Sequence, residues 1–105
     1  MQTAPLLGMT TPDLTGADRR ALRGEGQTLE ATVTVGREGV TATNTRELCA
    51  QLGRRGLIKV RANMTDRKAR EALFAELAEA SDSTLVSTVG RTALYYRPLP
   101  ETAQA

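Results

Sequence analysis

This chain of 105 residues has no histidine, no tryptophan and one cysteine, and these absences exclude several classes of function. Without histidine it lacks the usual general base and the commonest zinc ligand. One cysteine, Cys49, excludes an internal disulfide framework and suits a reducing compartment. No histidine can activate Cys49 or a serine, and the carboxylates form no convergent pair. Cys49 is therefore expected to be a small buried residue of the second helix. We therefore expect a protein that is not an enzyme and needs no metal ion or other cofactor.

Long apolar segments are also missing. No run of apolar residues approaches the roughly 20 that a membrane-spanning helix needs. No basic segment precedes Leu6 and Leu7, so the N-terminus is unlike a secretory signal. The length suits one domain with a modest core. We expect a soluble cytoplasmic protein without a membrane partner, and a monomer rather than an oligomer.

Positive charge is concentrated in the second half of the sequence, although the net charge is only +2. Residues 1–53 hold five Arg or Lys and six Asp or Glu, whereas residues 54–105 hold nine and six. Such clustering is typical of a surface that binds a polyanion, but a solvated face gives the same pattern. Seven of the nine cations lie close together in the sequence: Arg54, Arg55, Lys59, Arg61, Arg67, Lys68 and Arg70.

The hydrophobic pattern predicts three helices. The first has Thr15 as its N-cap and Asp18 three residues later, and it ends near Gly24 or Gly26. The second runs from Thr41 through Leu52, with Gly53 at the position that follows a helix end. Apolar residues at helical spacing predict the third over residues 66–81.

Alternating and β-branched residues predict four strands, at residues 31–35, 57–62, 84–89 and 92–96. Gly90 and Arg91 suit a two-residue hairpin between the last two strands. The order α-β-α-β-α-β-β predicts an α/β fold with right-handed crossovers and an antiparallel hairpin that closes the sheet. In the second strand, Lys59 and Arg61 share the face opposite Ile58, and one of the two tyrosines at 95 and 96 must face the core. We expect flexible ends at residues 1–12 and 99–105.

The strongest functional signal is the Gly-x-x-Gly segment between the first strand and the second helix. Gly36 and Gly39 allow a sharp turn and a close ligand approach, because neither has a Cβ. Thr41 can cap the following helix, whose N-terminus attracts anions such as phosphate. Such a unit can clamp an RNA backbone, although the same residues also suit an ordinary turn. Arg37 at the tip favours a phosphate contact, whereas Glu38 opposes one.

Four blocks of the sequence, spread over residues 14–98, form a recognisable pattern. They are Leu14-Thr15-Gly16 with Arg19-Arg20 and Leu22-Arg23, Val35-Gly36-Arg37-Glu38-Gly39-Val40-Thr41, Leu57-Ile58-Lys59-Val60-Arg61, and Val89-Gly90-Arg91-Thr92-Ala93-Leu94-Tyr95-Tyr96-Arg97-Pro98. Together, in this order and at these spacings, they resemble the CRM domain, the RNA-binding module of YhbY-type bacterial proteins and plant organelle splicing factors. The resemblance implies a mixed four-stranded sheet with packed helices, similar to the C-terminal domain of translation initiation factor three.

The resemblance also implies a function and a domain boundary. Residues 13–98 are the RNA-binding domain, and single-domain bacterial members associate with precursors of the large ribosomal subunit. We therefore predict binding to structured rRNA. The alternative is a protein-interaction module that docks a ribosomal protein or an assembly factor. The predicted RNA-binding residues are Gly36, Arg37, Glu38, Gly39, Thr41, Arg54, Arg55, Lys59, Arg61, Arg67, Lys68, Arg70 and Arg91.

The first helix departs from the family pattern. It is shorter and less basic than usual, because Gly24-Glu25-Gly26 interrupts it, and Glu30-Ala31 replaces the expected basic residue and proline. We therefore predict either weaker RNA binding or greater use of the second half of the domain.

Overall fold

The computed structural model describes residues 14–98, which form three helices and one four-stranded sheet. The observed order, α-β-α-β-α-β-β, is the one that the hydrophobic pattern predicts. The predictions for residues 1–12 and 99–105 lie outside the described residues. The helices are α1 (Gly16–Gly26), α2 (Ala42–Arg55) and α3 (Arg67–Ser81), and the strands are β1 (Ala31–Val35), β2 (Leu57–Ala62), β3 (Thr84–Val89) and β4 (Thr92–Tyr96).

The sheet is mixed, with the strand order β1-β2-β4-β3. Strands β1 and β2 are parallel, and β4 runs antiparallel to both of its neighbours. The predicted mixed four-stranded sheet is therefore confirmed. The ladder of β3 is irregular between Leu85 and Ser87. There the Arg19 guanidinium of α1 donates to the carbonyls of Leu85 at 3.3 Å and Val86 at 3.1 Å, which ties the helix to this edge strand.

One face of the sheet forms the main core with α2 and α3. In β2, Ile58, Val60 and Ala62 are all buried there, as the predicted alternation requires. Tyr95 of β4 is fully buried, and its hydroxyl donates to the Phe74 carbonyl of α3 at 2.8 Å. Burial raises the pKa of the Tyr95 hydroxyl, because the charged form is poorly solvated in the core. The chain thus places Tyr95 inside and leaves Tyr96 half-buried on the other face.

Helix α1 covers part of the opposite face. A smaller apolar cluster forms there around Leu57, Val86 and Leu94. Gly26, the last residue of α1, lies directly on Leu94, because a Cβ at this position would come within 2.6 Å of the Leu94 Cδ2 atom. The absence of a side chain at residue 26 therefore lets the helix end rest against the sheet. Lys59 and Arg61 project from the same face.

Both N-caps that the sequence predicts are confirmed, but one predicted helix end is wrong. Thr15 and Thr41 are the N-caps of α1 and α2. Helix α2 does not stop at Leu52 but continues through Gly53 to Arg55. Gly56 takes the left-handed conformation, with φ 81°, and its amide donates to the Leu52 carbonyl at 2.9 Å. Two glycines three residues apart both suit a helix end, and only the later one brings the chain directly into β2 at Leu57.

Two further expectations need correction. Helix α1 runs through Gly24 and Glu25 to Gly26, so these residues do not interrupt it early. Cys49 is half-buried rather than buried, because it lies at the flank of α2 beside Arg97. The Arg97 guanidinium lies 3.4 Å from the Cys49 Sγ atom and donates to the carbonyls of Ser81 and Asp82 at the end of α3.

Candidate nucleic-acid interface

The Gly-x-x-Gly segment forms a tight turn between β1 and α2. The Gly39 amide donates to the Gly36 carbonyl at 3.1 Å and closes the turn. Gly39 has φ 76°, a left-handed conformation that glycine adopts without strain. The position that a Gly39 Cβ would occupy is 4.0 Å from Leu73 of α3. The turn is therefore compact and lies close to the third helix.

The N-terminus of α2 is closed by a reciprocal cap. The Asn44 amide donates to the Thr41 hydroxyl at 3.1 Å, and the Thr41 amide donates to the Asn44 side chain at 2.9 Å. The Asn44 side chain also donates to the Gly39 carbonyl at 2.9 Å. This buried asparagine fixes the loop to the helix, a role that the sequence interpretation missed although the Thr-x-x-Asn spacing indicates a capping box.

Two oppositely charged residues form the tip of the turn. Arg37 is exposed and makes no hydrogen bond or ion pair within residues 14–98. The Glu38 carboxylate folds back instead, so that its Oε2 atom accepts a hydrogen bond from the Gly36 amide at 3.3 Å. A backbone amide of this kind is a donor that such loops offer to a phosphate oxygen. Glu38 therefore occupies a position suited to a bound anion.

The sheet brings several other segments to the same end of the molecule as this turn. The Asn63 amide donates to the Val35 carbonyl at 2.8 Å, so β2 and β1 end side by side. The Ala62 amide donates to the Arg91 carbonyl at 2.8 Å, which places the β3–β4 hairpin beside them. Only four residues separate the end of β2 from the start of α3, so α3 also begins at this end of the sheet. We call this region the loop end: residues 36–39, 61–70 and 90–91.

Six of the predicted cations lie at the loop end. The Arg61 side chain donates to Asn63 at 3.2 Å, and Arg70 donates to the Met64 carbonyl at 3.0 Å. Arg67 forms an exposed ion pair with Glu71 at 3.1 Å. Asp66 caps α3 by accepting from the Ala69 amide at 3.2 Å. The six cations are Arg37, Arg61, Arg67, Lys68, Arg70 and Arg91.

The remaining predicted cations lie elsewhere. Arg54 and Arg55 are in the last turn of α2. A helix of this length spans about 20 Å, so both lie far from Thr41 and from the turn. Lys59 lies on the sheet face that α1 partly covers. The basic cluster is thus continuous in sequence but divided in space, because a crossover helix returns the chain to the opposite end of the sheet.

The described part of the chain shows neither a candidate metal site nor a membrane-spanning helix. Within residues 14–98, no group of three His, Cys, Asp or Glu side chains comes together in a way that could hold a metal ion. None of the three helices described there is both long and apolar enough to cross a membrane.

The fold and the loop end define a small α/β domain with a glycine turn at a cationic end of its sheet. The model of the CRS1/YhbY (CRM) domain family matches residues 14–97. The chain therefore belongs to this family, as the resemblance in the sequence indicates.

Comparison with named proteins supports the assignment of the chain to this family. The "Probable RNA-binding protein PA4753" of Pseudomonas aeruginosa is 34% identical over 88 residues, which cover 84% of this chain and 85% of the relative. The "Probable RNA-binding protein YqeI" of Bacillus subtilis is 31% identical over 91 residues, covering 87% of this chain and 95% of the relative. The solution structure of the Staphylococcus aureus protein SAV1595, described as a candidate RNA-binding protein, has a TM-score of 0.75 and 27% identity, with 84% of this chain and 92% of that chain covered.

Proposed function

We propose that this protein is a non-catalytic RNA-binding protein whose loop end holds the phosphates of a structured RNA. The candidate target is rRNA in precursors of the large ribosomal subunit, where the protein assists assembly. We expect it to act in the cytoplasm as a monomer.

The observation that carries this proposal is the combination of a glycine turn, a helix N-terminus and six cations at one end of the sheet. The turn carries the exposed Arg37 at its tip, and the start of α2 carries the positive end of the helix dipole. Two carboxylates lie within the loop end, Glu38 and the α3 cap Asp66, and Glu71 just outside it is paired with Arg67. The positive charge therefore exceeds the negative, which favours contact with a polyanion.

The choice of rRNA rests on the resemblance to single-domain bacterial CRM proteins. Purification of the protein from cells at low salt, followed by sequencing of the bound RNA, tests this choice. Enrichment of large-subunit rRNA supports it. Enrichment of another RNA class would leave RNA binding in place but change the target.

The role of the turn is tested by reversing one charge. Arg37→Asp should weaken binding to a structured rRNA fragment by roughly 1–3 kcal/mol, the scale of a lost charge-assisted contact plus repulsion. Arg37 is exposed, so thermal unfolding should be unchanged. Arg54→Asp is the matched control, because it makes the same charge change at the other end of α2. Equal affinity of the two variants would remove the turn from the interface.

A further inference from the structure

A groove lies on the sheet face that α1 covers only in part. Arg23 of α1 and Gln27, which directly follows the helix, form one wall. The volume of the groove is about 340 Å³, at the lower end of the range for ligand clefts in proteins. Two rows of side chains cross β2, β4 and β3 on this face: Lys59, Leu94 and Ser87 in the first row, and Arg61, Thr92 and Val89 in the second.

The charges of the groove indicate the chemistry of an occupant. Arg23 and Lys59 both line it, and no Asp or Glu does. Within the described residues 14–98, neither cation makes a hydrogen bond or an ion pair. Two such cations above a sheet floor favour an anionic ligand, because the carboxylate that would neutralise them is missing from the lining.

The floor also offers apolar and hydroxyl groups. Val89 is 73% exposed, the only large hydrophobic residue of the described chain that is so exposed. Ser87 and Thr92 also line the floor, where the Thr92 hydroxyl donates to the Val89 carbonyl at 2.9 Å and keeps its acceptor lone pairs. A ligand that combines negative charge, a flat apolar body and hydrogen-bonding edges matches this lining, and a nucleotide has all three.

We propose that the groove binds an unpaired segment of the RNA, with phosphates held by Arg23 and Lys59 and a base or ribose resting on Val89. This inference rests on the RNA-binding function proposed above. A duplex presents its phosphates on a convex surface, whereas an unpaired nucleotide can enter a concave space of this size. The lining contains no aromatic ring, so bases are not held by stacking and we expect little preference among them.

The groove is continuous with the loop end. Arg61 does not line the groove, but it pairs across the sheet with Thr92 of the groove floor and belongs to the loop end, where it contacts Asn63. An RNA whose paired part lies on the loop end can therefore extend an unpaired strand past Arg61 and along the sheet towards α1. The groove adds a second contact region to the first, with a different preference for RNA structure.

The test uses the full chain and two synthetic RNAs that share one hairpin from a bound rRNA. One hairpin is blunt, and the other carries an unpaired extension of about five nucleotides, placed at either end in separate preparations. Wild-type protein should bind the extended RNA about tenfold more tightly than the blunt one, from about two added phosphate contacts. Arg23→Gln with Lys59→Gln should abolish this gain and leave affinity for the blunt hairpin unchanged.

Two further variants make the result specific. Arg54→Gln with Arg55→Gln removes the same charge at the far end of α2 and should keep the tenfold gain. Val89→Asp places a carboxylate at an exposed position in the groove and should also remove the gain. An unaltered gain in the Arg23 and Lys59 variant would overturn the groove proposal. If the same variant lost affinity equally for the blunt hairpin, the proposal would also be overturned, because Arg23 and Lys59 would then contact paired RNA.

The same experiment separates this proposal from the proposed function. If wild-type protein binds neither hairpin nor cellular RNA, the proposed function fails and the groove proposal fails with it. If the wild type binds both hairpins equally, and binding depends on Arg37, the function stands while the groove proposal is overturned.

Discussion

At the scale of single residues, the turn contains a carboxylate where an RNA phosphate is expected. Glu38 accepts a hydrogen bond from the Gly36 amide, and its charge lies beside the exposed Arg37. An incoming phosphate must displace this carboxylate or tolerate it nearby. The protein is therefore expected to bind RNA less tightly than the same fold with a neutral residue at position 38.

Removal of that charge tests the expectation. Glu38→Gln keeps an acceptor for the Gly36 amide but removes the negative charge, so affinity for structured RNA should rise by roughly 0.5–1 kcal/mol. The gain should shrink as salt rises, because the charges are exposed. Glu79→Gln, an exposed position near the other end of α3, is the matched control and should have no effect. Equal affinities of Glu38→Gln and wild type in low salt would show that the carboxylate does not oppose RNA.

At the scale of secondary-structure elements, two glycines near the end of α2 have different roles. Gly53 is inside the helix and a Cβ there meets no atom within 4 Å, whereas Gly56 has positive φ. Gly53→Ala should raise the free energy of unfolding by about 0.5–1 kcal/mol, since alanine favours a helix interior. Gly56→Ala should lower it by about 1–2 kcal/mol, because an L-residue is strained in the left-handed region. Urea denaturation of both variants measures these changes, and equal stabilities would contradict the assigned helix end.

The same pair shows what the sequence could and could not predict about the elements. All seven elements and the alternation in β2 follow from apolar periodicity, which is strong where one face is buried. The end of α2 does not, because residues 53 and 56 both satisfy the local pattern and only the position of β2 selects between them. The capping role of Asn44 could have been predicted from its spacing to Thr41, because these two residues form the capping box of α2.

At the scale of the whole molecule, positive charge is distributed between two ends of the sheet rather than over one surface. The sequence predicted the turn and its helix cap. It could not predict the division of the basic cluster, because neighbours in sequence separate when α2 crosses the length of the sheet. It also gave no sign that Arg23 of α1 lines a groove with Lys59, since this proximity depends on how α1 packs.

This division predicts different salt dependences for two pairs of cations. Lys68→Gln with Arg91→Gln neutralises two exposed residues of the loop end and should flatten the dependence of log affinity on log salt by about two units of slope. Arg54→Gln with Arg55→Gln should leave the slope unchanged, because these residues lie at the far end of α2. Neither pair should alter thermal stability by more than about 0.5 kcal/mol. Equal slopes in the two variants would contradict an interface that includes the loop end and leaves out the last turn of α2.

The strand order has a consequence for the time course of synthesis. Strand β4 is the last strand of the domain, yet it lies between β2 and β3 and pairs with both. Until residues 92–96 have left the exit tunnel of the ribosome, one edge of β2 is unpaired, and Tyr95 does not yet fill the core beneath α3. Open strand edges are sites of misassociation. A nascent chain of this protein therefore completes its fold only after nearly the whole domain has left the exit tunnel, and slow translation of the last strand prolongs the interval in which its sheet can pair with another chain.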